Sequence, residues 1–129
     1  MEPLPHGTAV IVIDHGSRMP AANQMLDDVV RMYQCATGAE IVEPAHMELA
    51  EPTLDDAAAK CVARGATSIV VHPYFLAPGR HSTSDIPGMV AELAPRYPDV
   101  YFRVTEPLGV DTIMAQLMHQ RIVEALARD

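Results

Sequence analysis

With 129 residues, 49% of them hydrophobic, the chain matches one globular domain and can bury a sizeable core without staples. Its formal charge of −8 argues against nucleic acid, which is bound by neutralising phosphates, and against anionic membrane surfaces. No apolar run approaches the about 20 residues that cross a bilayer, and the acidic, proline-containing start MEPLPHG has neither the basic nor the apolar region of a leader. The expected location is therefore the cytoplasm.

The first element in chain order is the run Thr8 to Ile13, apolar on both faces and so a buried parallel strand. Before it, Met1 to Gly7 carries two prolines and a glycine and is expected to be loose, leaving an ordered core of about 8–126 in a single domain, 1–129. A first helix spans about Pro20 to Cys35, with Ala22, Met25, Leu26, Val29, Val30 and Tyr33 at helical spacing. The second strand, near Glu40 to Ala45, is the weakest pattern. Thr53, followed three residues later by Asp56, is a capping-box signal for a second helix whose inward stripe is Leu54, Ala57, Ala58, Cys61 and Val62. Gly65 suits its C-terminal end.

Ser68 to Tyr74 reads as the third strand. A third helix starts near Asp85, with Pro87 in its first turn, and stops near Pro95. Val100 to Val104 is the fourth strand. Asp111 opens a fourth helix to about Leu126, with Met114, Leu117, Met118, Ile122 and Ala125 inward. Cys35 and Cys61, the chain's two cysteines, fall on apolar helix faces and read as buried reduced thiols.

Alternating strands and helices imply an α/β fold: a parallel four-stranded sheet with helices on both faces. In such sheets ligands bind beyond the carboxyl ends of the strands, where strand order reverses; for flavodoxin-like order that point lies between strands one and three. The loops there are Asp14-His15-Gly16-Ser17-Arg18 and the stretch from Phe75 to Asp85, which includes Arg80, His81, Ser82 and Ser84. Two neutral imidazoles facing one crevice suit a borderline divalent ion such as cobalt, nickel or iron, and two ligands with open positions suit a metal in transit. Arg18 and Arg80, with Ser17, Ser82, Ser84 and helix N-termini, supply donors for carboxylates.

The segments Asp14 to Arg18, Glu48-Leu49-Ala50-Glu51-Pro52, Pro73 to His81, Asp85-Ile86-Pro87 and Pro107-Leu108-Gly109 resemble the sirohydrochlorin chelatases, the short class II chelatases of cobalamin, siroheme and related tetrapyrrole synthesis. The resemblance runs from about Thr8 to Leu126 and implies the chelatase-type flavodoxin-like fold. It implies insertion of cobalt, iron or nickel, as a substrate ion, into sirohydrochlorin, with no organic cofactor. It also implies a homodimer, because longer relatives carry two such halves. His15 and His81 match the family's metal-binding histidines, and Glu48 matches a carboxylate facing the same cleft.

The remaining polar residues have plainer readings. His46 is either an extra ligand beside Glu48 or, the preferred reading, a hydrogen-bonded structural histidine. Asp14 orients His15 from behind. His72 is a half-buried strand residue, His119 a surface or dimer contact, and Asn23 either a helix-surface or a cleft residue. A hydrolase or phosphohistidine enzyme on His15 and Ser17 is disfavoured, since Asp14 precedes His15 and no G-x-S-x-G elbow exists. A non-catalytic metal or tetrapyrrole carrier needs the same ligands as a chelatase and is separated from it only by turnover.

Overall fold

The computed structural model describes residues 1–77 and 82–128, with 82–84 described by backbone alone. Four strands, β1 (Thr8–Asp14), β2 (Ile41–His46), β3 (Ser68–Pro73) and β4 (Tyr101–Val104), form one parallel sheet in the order β2-β1-β3-β4. The helices are α1 (Pro20–Thr37), α2 (Leu54–Ala63), α3 (Ser82–Leu93) and α4 (Thr112–Ala127), with a 3₁₀ turn at Ala94–Arg96. The flavodoxin-like α/β reading of the sequence holds, and β1 is the strand from which the order runs both ways.

Alternation along β1 explains why it reads as apolar throughout. Ala9, Ile11 and Ile13 face the larger core with Leu54, Ala57 and Cys61 of α2 and Ile86 and Leu93 of α3. Val10 and Val12 face the other side, packing with Leu26 and Val30 of α1 and with Val42 of β2. Pro44 lies in β2, an edge strand, where its missing N–H breaks no ladder between strands. The Thr53–Asp56 capping box forms as predicted: Thr53 Oγ1 accepts from the Asp56 N–H at 3.2 Å and the Asp56 carboxylate accepts from the Thr53 N–H at 3.0 Å. Those bonds hold the Asp56 carboxyl below the usual carboxylate range.

Four expectations need correction. α3 begins at Ser82, not near Asp85, so Pro87 is its sixth residue and removes an internal hydrogen bond. The α1 stripe is narrower than its periodicity: Leu26 and Val30 are buried and Val29 and Tyr33 partly so, whereas Ala22 and Met25 are exposed. Cys35, on the same helix, is exposed; only Cys61 is buried, and burial pushes its thiol up to about 12. The predicted inward face of α4 is exposed at Leu117, Met118, Ile122 and Ala125 and only partly buried at Met114. The start of the chain is tied where it meets the sheet: the Gly7 carbonyl accepts the N–H groups of Thr67 and Ser68.

Candidate functional site

The site is built by the ladder of β1 running past the strand ends. Its last pairing sets Asp14 opposite His46. Beyond it, the Met47 N–H donates to the Asp14 carbonyl at 2.9 Å and the Glu48 N–H to the His15 carbonyl at 3.2 Å. On the other side the Tyr74 N–H donates to the Ile13 carbonyl at 2.7 Å, and the Phe75 ring stacks on the His15 imidazole, centroids 4.7 Å apart and planes 25° from parallel. His15 thus sits between the loops after β2 and β3. Its ring is stacked on an aromatic face and exposed to solvent.

Gly16 makes this approach possible. Its φ is +88°, and a Cβ there would lie 1.9 Å from the Glu48 carbonyl oxygen. Next along the loop, Asn23 of α1 clasps Ser17: the Ser17 N–H donates to Asn23 Oδ1 at 2.9 Å, and Asn23 Nδ2 donates to the Ser17 carbonyl at 2.7 Å. Asn23 is partly buried on α1, and its side chain is committed to the backbone of the loop that carries His15. Arg18 follows, exposed and without an ion pair among the described residues. The β2 loop holds Leu49 at φ +70°, a conformation unfavourable for a side-chain-bearing residue, directly after the exposed Glu48.

Beneath this surface lies a pair that reading the chain residue by residue separated. His46, 2% exposed, donates from Nδ1 to Asp14 Oδ1 at 2.6 Å, because a carboxylate only accepts. The same oxygen accepts the Gly16 N–H at 3.0 Å. Asp14 therefore braces the loop through His46 and Gly16, which corrects its assignment to His15 and agrees with His46 as a hydrogen-bonded structural residue. His72 is half-buried as read, bonded through Nδ1 to Thr105 Oγ1 at 2.7 Å, and burial holds its pKa below 6.5. His119 lies on the exposed surface of α4.

Arg80 and His81 lie outside the described residues, as do the side chains of Ser82 and Ser84, whose backbone opens α3. Among the described residues no three His, Cys, Asp or Glu side chains converge as a metal cage. Those residues do bring His15, Ser17, Arg18 and Glu48 to one end of the sheet. Sequence reasoning assigned no role to Phe75, although its place directly after β3 was the available signal.

Sheet order and loops define a doubly wound α/β protein with an exposed histidine at its switch point. The family model described as CbiX matches residues 9–125, and the chain belongs to the CbiX family. It is 44% identical over 118 residues to the chloroplastic sirohydrochlorin ferrochelatase of Arabidopsis thaliana, covering 92% of this chain and 52% of that protein. It is 33% identical over 141 residues to the sirohydrochlorin cobaltochelatase of Methanopyrus kandleri, covering 94% of this chain and 99% of that one. Among solved structures, SirB from Bacillus subtilis with Fe3+ superposes with a TM-score of 0.84 at 30% identity, covering 92% of this chain and 47% of SirB. The chain thus spans about half the length of the Arabidopsis and Bacillus proteins and nearly all of the Methanopyrus protein.

Proposed function

We propose that this protein inserts a divalent metal ion (cobalt, iron or nickel) into sirohydrochlorin, as a single domain over residues 1–129, working in the cytoplasm as a homodimer and without an organic cofactor. The observation that carries the reading is the placement of His15: exposed at the end of β1, stacked on Phe75 and backbone-bonded to Glu48, in a chain that belongs to the CbiX family. Two relatives of about this similarity are named for cobalt and for iron insertion, which supports the substrate class and leaves the metal to be measured.

In this reading His15 and His81 take the incoming ion and replace some of its waters, with Glu48 as a third, anionic ligand. A neutral imidazole that has released the metal then accepts one of the two pyrrole protons that must leave the macrocycle. Ser17, Arg18, Arg80, Ser82 and Ser84 hold the substrate's carboxylates. Arginine suits that task because its fork matches a carboxylate with two parallel hydrogen bonds.

The test is the visible spectrum of sirohydrochlorin with each metal, using catalytic amounts of protein. Acceleration by the wild type that is lost in His15→Ala and in His81→Ala supports the assignment and ranks the metals. An insertion rate equal to the protein-free reaction with every metal refutes it. Stoichiometric binding without acceleration points instead to a carrier.

A further inference from the structure

One residue beside the site is strained for a reason that packing does not supply. The chain leaves β2 along the extension of β1, with Met47 bonded to Asp14 and Glu48 to His15, and returns so that the Pro52 carbonyl accepts the His46 N–H at 2.9 Å. That short return sets Leu49 at φ +70°, the left-handed region that glycine and asparagine enter most readily. A leucine there is unfavourable twice over, because its side chain is also 55% exposed and belongs to neither core cluster. Met47, earlier in the same loop, is the residue that packs against the larger core. Strain kept at an exposed apolar side chain points to contact with a ligand.

What Leu49 touches follows from sheet order. β1 lies between β2 and β3, so the loop carrying Leu49 and the loop carrying Leu76 leave the sheet on opposite sides of His15, about 10 Å apart at two strand spacings. Leu76 is 60% exposed and follows Phe75, whose ring packs on the core and stacks on His15. The exposed His15 and Glu48 thus have an exposed leucine in the loop on either side. An ion taken by His15 reaches the ring nitrogens of a tetrapyrrole only if the macrocycle lies with one face over the imidazole. A disc in that position spans both loops. Its face is apolar, and its carboxylates lie at the rim.

We propose that Leu49 is a substrate contact whose left-handed backbone presents its side chain to the face of the tetrapyrrole, with Leu76 as its counterpart across His15. The proposal rests on the chelatase reading for the identity of the ring, and on the strain and exposure of Leu49 for the contact itself. It gives neighbouring residues different tasks: Glu48 serves the ion and Leu49 the ring. Loss of the leucine side chain therefore weakens tetrapyrrole binding and leaves metal binding as it was.

Variants of the full chain separate the side chain from its backbone. Leu49→Ala keeps the left-handed strain and removes the contact, Leu49→Gly removes both, and Leu49→Met restores the apolar reach. Binding of metal-free sirohydrochlorin is read from its visible spectrum, Co2+ binding without tetrapyrrole by calorimetry, and melting by circular dichroism. The expected affinity for sirohydrochlorin is about 10-fold weaker in Leu49→Ala and Leu49→Gly, the loss of about half a leucine's burial. In Leu49→Met it stays within about twofold of wild type, since the swap conserves volume. Co2+ affinity keeps its wild-type value in every variant, and Leu49→Gly melts about 3 °C higher because the strain is gone. An unchanged sirohydrochlorin affinity in Leu49→Ala and Leu49→Gly overturns the contact. So does a loss of Co2+ affinity equal to the loss for the ring, which marks a residue that only shapes the loop. A wild type that binds the ring and inserts no metal refutes the chelatase reading alone, since the same titrations still decide the contact. A wild type that does not bind the ring overturns both.

Discussion

Replacing Gly16 by Ala tests whether the site depends on the close approach of the β1 and β2 loops. A Cβ at residue 16 would sit 1.9 Å from the Glu48 carbonyl oxygen and 3.2 Å from the His46 Cβ. The obstructing atom is backbone and cannot rotate aside, so the loops must part by about 1.5 Å, from 1.9 Å to 3.4 Å, to restore ordinary contact. The left-handed conformation at φ +88° adds about 1–2 kcal/mol for any L side chain. Losing the hydrogen bond from the Glu48 N–H to the His15 carbonyl adds about 1 kcal/mol. The sum, about 2–3 kcal/mol, lowers the melting temperature by about 10 °C in a domain of this size. Because His15 and Glu48 move apart, metal insertion falls about 100-fold, the scale expected of a 1 Å misplacement. Gly38→Ala is the control: φ there is +74° but nothing lies within 4 Å of the added carbon, so it costs about 1 kcal/mol and leaves insertion unchanged. Calorimetry and the sirohydrochlorin spectrum read both variants. If Gly16→Ala melts no lower than Gly38→Ala and inserts metal at the wild-type rate, the loops are not held by this contact and the reasoning fails.

Two further perturbations address the buried histidines. His46→Leu keeps the volume but removes a hydrogen bond to a carboxylate, so stability falls by about 2 kcal/mol, read as a lower urea midpoint at unchanged slope; a midpoint within error of wild type would show that Asp14 needs no partner. His72, whose pKa is lowered by burial, makes stability fall as the solution is acidified. Below about 6.5 the unfolded chain takes up a proton that the native state resists, so the loss begins there and levels off once the native histidine also protonates. The measurement is urea stability at pH 7.5 and 5.5 for wild type and His72→Gln; an equal acid-side loss in both removes His72 as the cause.

What the sequence revealed, and what it hid, follows from the range of each interaction. β1 was legible because burial on both faces leaves a continuous apolar run, and the start of α2 because its capping box lies within four residues. Periodicity reports that a stripe is apolar but not what covers it. The α4 stripe was therefore found while its packing was misjudged, and Cys35 and Met25 on α1 were placed inside when that helix touches the sheet only around Leu26 and Val30. The start of α3 was set too late because Asp85 resembles a cap and Pro87 favours a first turn. The Asp14–His46 pair spans 32 residues and depends on the register of β1 against β2. A one-residue uncertainty at a strand end hides such a contact completely.

The register also explains why one residue can serve a site assembled from three loops. β1 is hydrogen-bonded on both sides, so the residue that follows it is the point where the β2 and β3 loops must meet, and that residue is His15. Its carbonyl takes the Glu48 N–H and its ring takes the face of Phe75, so both contacts are set by backbone pairing before any ligand arrives. The β4 loop enters by the same logic one strand further out. It donates from Leu108 and Gly109 to the carbonyls of Phe75 and Leu76, and six residues on from Thr105 it releases α4 at Asp111. The segment that leads into α4 is therefore hydrogen-bonded to the residue whose ring stacks on His15.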